Sequence, residues 1–420
     1  MKDQILNAAA TPRELEGLYR SSPTAFEAAF KAAFAERPDS EVLAIWNERL
    51  FFHGSSAILP MPPRWHAQDV ALTVCLGLVA GTLAKLPLIF NALDAGTFTA
   101  RNLAGIIAGA LIVYFCIQRA CPPLILAVLG TTFAGTLIFL NLLPVASDSQ
   151  TLFLACLHAP FFFWALVGLA FLGTNWRAAQ SRMLYLRYSG EVIVYTTVIL
   201  IGGAVLTGIT LGLFSVIKLD ISEWYMSNVV IYGAVAAPIV ATLLIDKSIA
   251  EQFKITPILA RIFTPLFLVT AAAYLVAMLL NRKDLFVDRD FLIAFNALLL
   301  VVLGLCVLAV SEHRQNTEPG FSDAMTFGLV ALTLVINACA LSAIVFRLTS
   351  YGFTPNRLAV LGANLLAFGH LLGILYFYVG FLKRKCSINQ TQIWIVRYLP
   401  AYAVWSILVI CAFPVIFRFS

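Results

Sequence analysis

Charge is scarce in this sequence. Asp, Glu, Lys and Arg together make up 12% of its 420 residues, against about 25% in a water-soluble chain. Hydrophobic residues fill 60% of the positions and the mean hydropathy is +0.88, which places the chain in the membrane class. Acidic groups are missing where carboxylate-based proton or sodium coupling would need them. Glu191, Glu223, Asp246, Asp290 and Asp323 all stand at the ends of apolar runs, within reach of water or headgroups. Paired cysteines are missing too. Cys75, Cys116, Cys121, Cys156, Cys306, Cys339, Cys386 and Cys411 form no C-x-x-C pair, so they read as small packing residues, with no disulfide frame or zinc site. There is no P-loop, no H-E-x-x-H and no G-x-S-x-G. Long loops are also absent. The longest lie near 174–190, 246–257 and 382–394, and none holds a folded catalytic domain of about 50 residues. These absences put a membrane-embedded enzyme third among the readings, and no cofactor is expected. No basic patch with interleaved aromatics occurs, which excludes nucleic acid as a partner. The net charge of +6 is therefore read as membrane topology. The polar, mixed-charge opening does not read as a signal peptide.

What is present is a series of apolar runs. Each is near the roughly 20 residues that a membrane helix needs. They fall near Val70–Phe90, Leu103–Ile117, Leu124–Leu143, Leu152–Gly173, Val192–Ile217, Tyr225–Ile245, Ile262–Leu280, Phe291–Val310, Met325–Phe346, Leu358–Leu382 and Tyr398–Phe417. The expected fold is all-α, a polytopic transmembrane bundle of about eleven spans over 67–420. Residues 1–66 are different material. Thr11-Pro12-Arg13-Glu14 reads as a capping box with proline at the first helical position. Ser22-Pro23 starts a second helix carrying Phe26, Phe30 and Phe34, and Asp39 or Ser40 caps a third carrying Val42, Leu43, Trp46, Leu50 and Phe51. These predict a small three-helix subdomain, with Gly54–His66 and its prolines as linker and Trp65 as an interfacial anchor. Lys and Arg are more frequent in the loops that share a side with the N-terminus. That bias predicts a cytoplasmic N-terminus and, for an odd number of spans, an external C-terminus.

The chemistry concentrates in Arg347-Leu-Thr-Ser-Tyr-Gly-Phe-Thr-Pro-Asn-Arg357, a tight polar turn between two long apolar runs. Gly352 can supply a positive φ for the reversal, and Thr354 with Pro355 reads as an N-cap and first helical residue. The turn is expected on the outer side, where positive charge is disfavoured. A cation at the start of a helix, as at Arg357, also opposes the helix dipole. Arg347, Tyr351 and Arg357 are therefore candidate ligands for one anionic group, a lipid phosphate or a small anionic solute. The competing reading is that both arginines only fix the hairpin against lipid phosphates.

His158, before Ala159-Pro160, and His370, near the middle of its run, lie deepest. His370 joins the candidate binding residues, against the simpler reading of an interhelical hydrogen bond. Neither histidine has a companion at metal-ligand spacing, so no metal is expected. Asn141, Asn228, Asn296, Asn337 and Asn364 read as interhelical hydrogen-bonding groups. Gly77/Gly81, Gly105/Gly109 and Gly208/Gly212 read as packing pairs. Lys85 is expected to snorkel to the interface.

Three stretches carry a resemblance. Ile258-Leu-Ala-Arg-Ile-Phe-Thr-Pro-Leu-Phe267, Asp290-Phe-Leu-Ile…Val310 and Tyr351-Gly-Phe-Thr-Pro-Asn-Arg357 resemble a bacterial family of multi-pass proteins, domain of unknown function 4153. Glu14-Leu-Glu-Gly-Leu-Tyr19 and Pro38-Asp-Ser-Glu…Trp46-Asn-Glu-Arg49 look like the start of such proteins. The resemblance implies a location in the bacterial plasma (inner) membrane and brings no activity with it. Two function classes stay open. One is a permease- or flippase-like protein with an anion-recognising outer face. The other is a non-transporting scaffold or sensor that binds a cytosolic partner through residues 11–53.

Overall fold

The computed structural model describes residues 1–9, 11–37, 40–51, 66–90, 92–144, 149–247, 255–280, 289–313 and 318–419. The chain divides into two compact units, Met1–Arg64 and Trp65–Ser420, and no strand occurs among the described residues. The expected linker Gly54–His66, with Trp65, lies outside them apart from His66, as does Asp39.

The first unit has four helices: α1 Lys2–Asn7, α2 Pro12–Ser21, α3 Pro23–Glu36 and α4 Glu41–Phe51. The sequence predicts three. The additional α1 has too few residues to show a period, yet its Ile5 is fully buried with Leu15, Phe26, Phe30, Leu43 and Trp46. Trp46 packs against Phe26 at 5.3 Å and Tyr19 at 5.5 Å. Thr11 stands at the N-cap of α2 behind Pro12, but its hydroxyl caps nothing. Ser40 does cap α4, its Oγ accepting from the Leu43 amide at 3.4 Å.

The second unit is the membrane bundle. Its helices are α5 Ala67–Ile89, α6 Ala95–Gln118, α7 Pro123–Leu142, α8 Gln150–Leu172, α9 Ala179–Val216, α10 Ser222–Tyr225, α11 Ile231–Lys247, α12 Ile255–Leu280, α13 Arg289–Ser311, α14 Phe321–Tyr351, α15 Pro355–Leu382 and α16 Ile388–Ile416. A π-helical turn, Met226–Val230, joins α10 to α11. Among the described residues nine helical stretches are long and apolar enough to cross a membrane, and α12 and α13 contribute the shorter apolar segments Ile262–Ala273 and Leu299–Ser311. Each of the eleven predicted runs therefore coincides with a helix, and the protein is a multi-pass membrane protein.

Several helices start well before their apolar run. Asp94 caps α6 by accepting from the Thr97 amide at 2.7 Å, and this cap draws Arg101 and Asn102 into the helix. The connection between the first two apolar runs is thus shorter than hydropathy alone suggests. Residues 179–190 and 388–394, read as loops, belong to α9 and α16. They hold helical form because their polar side chains bond to the ends of neighbouring helices. Arg187 Nε donates to the Ser311 carbonyl at 2.6 Å, and Gln392 Nε2 donates to the Val310 and His313 carbonyls, each at 3.0 Å. The last carbonyls of α13, orphaned by helix geometry, are satisfied in this way.

The helices pack in a folded row: α11 on α5, α5 on α6, α6 on α8, α8 on α16, α16 on α15 and α15 on α14, with α12 and α13 against α14. One apolar core lies around α6 and α8, with Phe115, Phe163 and Phe171. The other lies among α13–α16, with Val302, Leu329, Leu371 and Ile395. The start of α9 joins them, giving Tyr185 to the first and Met183 to the second.

Glycines set the closest approach, between α15 and α16. A Cβ on Gly362 would stand 2.0 Å from the Trp405 ring, and one on Gly373 2.0 Å from Trp394. The predicted pairs Gly77/Gly81 and Gly105/Gly109 also face neighbouring side chains, whereas Gly208 and Gly212 have nothing within 4 Å. The latter two sit in the apolar stretch of α9, none of which is buried. At the turn between α14 and α15, Gly352 has φ +79°, and Thr354 Oγ1 accepts from the Arg357 amide at 3.4 Å.

Candidate functional site

Polar groups gather at three depths of the bundle. The near side is taken as the one where α5 begins, and the far side as the opposite end.

On the far side, α14 runs through Arg347 and ends only at Tyr351. Arg347 therefore sits one turn inside the helix, half-buried, and not at its end. Arg357 Nη1 donates to the Tyr351 carbonyl at 2.6 Å and the Gly352 carbonyl at 2.7 Å. Its guanidinium lies 5.6 Å from the Tyr351 ring. This geometry resolves the dipole conflict at Arg357. The charge opposes the start of α15 but caps the negative end of α14 across the turn. Tyr351 and Arg357 are thus brought together. His370 is not with them: it lies about 20 Å further along α15 at the usual helical rise.

The same clasp recurs at a residue that hydropathy places in a loop. Arg101, 6% exposed, donates from Nη1 to the Asn141 carbonyl at 2.9 Å and from Nη2 to the Leu143 carbonyl at 2.7 Å, closing the end of α7. Asn102 and Asn141 exchange side-chain bonds of 3.0 and 2.8 Å beside it. Lys85, expected to snorkel, instead gives its ammonium to Asn228 Oδ1 in the π-helical turn.

At mid-depth, α13, α14, α15 and α16 carry a polar seam. Asn364 Nδ2 donates to Asn296 Oδ1 at 2.7 Å, and Asn337 Nδ2 donates to the Asn364 carbonyl at 3.2 Å. One and a half turns further along α15, His370 Nδ1 shares a 3.0 Å hydrogen bond with the Tyr402 hydroxyl. The Tyr398 ring stacks on the imidazole at 4.7 Å, and Trp394 Nε1 donates to the His370 carbonyl at 3.1 Å. Asn337, Asn364 and His370 are at most 2% exposed. Yet Asn337 Oδ1, Asn364 Oδ1 and His370 Nε2 have no hydrogen-bond partner among the described residues. His158, by contrast, only returns a bond to the Leu154 carbonyl of its own helix at 2.9 Å.

On the near side, Asp323 is buried, not solvated at a helix end as its position in the sequence suggests. Its Oδ1 accepts from the Tyr378 hydroxyl and faces His313 Nε2, both at 2.9 Å, while Oδ2 accepts from the Gly320 amide at 2.7 Å. A second carboxylate, Asp246, accepts from the Tyr114 hydroxyl at 3.0 Å and the Tyr188 hydroxyl at 2.9 Å. Between α9 and α16 a cleft of about 220 Å³ opens beside Arg187 and Gln392. Sequence reasoning missed His313, Arg101 and Arg187 because each stands outside an apolar run, where a polar residue reads as loop.

Comparison with protein-family models, curated proteins and solved structures returns no match.

Proposed function

We propose that the protein is a permease- or flippase-like membrane protein that moves a polar solute or headgroup along the α13–α16 half of the bundle. The observation that carries this reading is the unfinished seam at mid-depth. A buried polar atom left without a partner costs about 1–3 kcal/mol, and polar groups at bilayer depth are retained where they serve a path or a site. A purely packing seam would be fully paired or apolar. Instead Asn337 and Asn364 keep acceptor oxygens, and His370 keeps a ring nitrogen, in the core between four helices. The seam offers hydrogen bonds and no carboxylate, which suits a neutral or anionic cargo better than a cation. Arg357 retains Nε and Nη2 beyond its two carbonyls. With Arg347 and Tyr351 nearby, it would meet an anion at the far mouth. The reading includes a bacterial inner membrane of the kind implied by the resemblance to domain of unknown function 4153, with a cytoplasmic N-terminus.

The scaffold reading requires an exposed apolar groove in the first unit. Among its described residues from 11 to 51, Ile45 is the one large aliphatic side chain well exposed, at 69%, so that support is not present there.

The test is flux in vesicles reconstituted with the full chain, using small neutral and anionic solutes and headgroup-labelled lipids. At least one class is expected to cross faster than in protein-free vesicles. Asn337→Leu with His370→Phe should abolish the gain, and Arg357→Gln should reduce it for anions alone. If no solute or lipid moves faster than in protein-free vesicles, the transport reading fails.

A further inference from the structure

The near-side cleft lies between the first turns of α9 and α16, away from both the seam and the far-side turn. Its walls are two facing helix stripes. Met183, Leu184 and Arg187 come from α9, and Asn389, Gln392 and Ile393 from α16. The chemistry of the walls is divided. Met183, Leu184 and Ile393 are apolar, and Leu184 is 57% exposed although it borders a cavity. Arg187, Asn389 and Gln392 supply the polar part, and no carboxylate lines the cleft.

Arg187 is held in place from behind. Its Nε donates to the Ser311 carbonyl at 2.6 Å. Gln392 fixes that same helix end through the Val310 and His313 carbonyls. The two terminal amino groups of Arg187 have no protein partner among the described residues, so a half-buried guanidinium presents its fork to the cavity. Such a fork matches the paired oxygens of a phosphate. A half-buried cation with no carboxylate beside it in the cleft is expensive, and an anion in the cleft would offset that expense.

Depth and size narrow the choice of anion. Arg187 lies about 12 Å into α9 at the usual helical rise, just before that helix becomes continuously apolar. This is the level of lipid headgroups, where basic pockets between membrane helices hold anionic lipids. The cleft of about 220 Å³ equals roughly seven water volumes. That admits a phosphate and part of a headgroup, while the exposed Leu184 offers a surface to the first acyl carbons.

We propose that this cleft binds the phosphate of an anionic membrane lipid, with Arg187 as its ligand. The site stands on different residues from the transport path, so it does not depend on the transport reading.

The experiment is a thermal-shift titration of the purified full chain in a maltoside detergent. Three probes separate the parts of the ligand: short-chain phosphatidylglycerol, the matching diacylglycerol without phosphate, and glycerol phosphate without tails. Phosphatidylglycerol alone is expected to stabilise the protein at low concentration. Arg187→Gln should weaken its binding at least about tenfold, and Arg187→Lys should weaken it less because charge remains while the fork is lost. Leu184→Trp fills the cleft and leaves the Arg187–Ser311 bond untouched. It should block binding, and it decides the matter if Arg187→Gln does not fold. Unchanged lipid binding in Arg187→Gln or Leu184→Trp overturns the proposal. So does equal binding of diacylglycerol, and so does glycerol phosphate binding as tightly as the lipid, which would make the cleft a site for a soluble anion.

Discussion

Residues 1–51 hide Phe26, Phe30, Leu43 and Trp46 and keep their ion pairs, Lys2–Glu36, Arg20–Glu16 and Arg49–Glu16, on the surface. Residues 66–419 reverse this arrangement. They turn Leu78, Val79, Ile201, Leu213 and Tyr376 outward and bury Arg101, Asp323, Asn337, Asn364, His370 and Gln392. The difference follows from the solvent. In water, apolar burial drives folding. Between helices in lipid it supplies no drive, and close approach and hydrogen bonding decide which faces meet. Equal burial therefore stands for unequal energies in the two units.

The largest effect should come from the apolar core of the first unit. Trp46→Ala removes an indole packed on Phe26 and Tyr19, a loss of about 3–5 kcal/mol. A core this small has little stability to spare. Hydrogen exchange on the full chain should show protection lost across residues 1–51 and kept in α14–α16. Loss in both would show that the two units fold as one.

Close approach comes next. Gly373→Val would drive side-chain atoms into the Trp394 ring, whose nearest atom is 2.0 Å from an ideal Cβ. Overpacking of this kind costs about 1–3 kcal/mol. Gly208→Ala, with nothing within 4 Å, is the matched control and should leave the melting temperature unchanged. A drop for Gly208→Ala would mean that the bare face of α9 is covered in the intact protein.

How much of this was legible in the sequence differs by depth. The eleven apolar runs marked their helices, because span length is a strong constraint. The turn at 347–357 was legible in detail: Gly352 takes the positive φ, and Thr354 and Pro355 start α15. The role of Arg357 was not, since one sequence cannot show that a cation opposing one helix start serves the carbonyls of the helix before it. Arg101, Arg187 and Gln392 fall in loops when helix ends are read from hydropathy alone. Caps and side-chain bonds to neighbouring carbonyls carry those helices past the apolar run. The Gly362, Gly369, Gly373 face could have been found. Its spacing of seven and four follows one stripe of a helix, opposite the equally spaced aromatics Trp394, Tyr398 and Trp405.

Hydrogen bonding in the seam should matter less than either kind of packing. Asn364→Leu removes the bond to Asn296, and bonds of this type in membranes average about 0.6 kcal/mol with a maximum near 1.7. The same change also removes the unpartnered Oδ1, which offsets part of the loss. The melting temperature of the solubilised protein should therefore fall slightly or rise. A rise accompanied by loss of flux would mark the seam as held for function at the expense of stability. A fall as large as that of Gly373→Val would make it a structural joint.

The smallest effect expected is electrostatic, on the surface of the first unit. Hydrogen bonds from Arg20 and Arg49, which share Glu16, hold its carboxyl below the usual carboxylate range. The Glu36 carboxylate holds the Lys2 ammonium above the usual lysine range. A depressed carboxyl contributes stability above its unfolded pKa of about 4.3, and that contribution is lost as pH falls through the lower folded value. A raised ammonium contributes below about 10.4, and that contribution is lost as pH rises through the higher folded value. The unit should thus be most stable on a plateau from about pH 5 to 10, with a shallow decline on each side. Both pairs are exposed, so the declines should be small and should shrink further in high salt. Glu16→Gln should flatten the acid decline and leave the alkaline one in place. Denaturant midpoints of the first unit, followed by Trp46 fluorescence across pH with and without salt, would read this. An acid decline unchanged in Glu16→Gln would assign it to another carboxylate of the unit. A decline as steep as the loss from Trp46→Ala would mean that surface charge and apolar core weigh equally there, which the comparison with the membrane bundle does not allow.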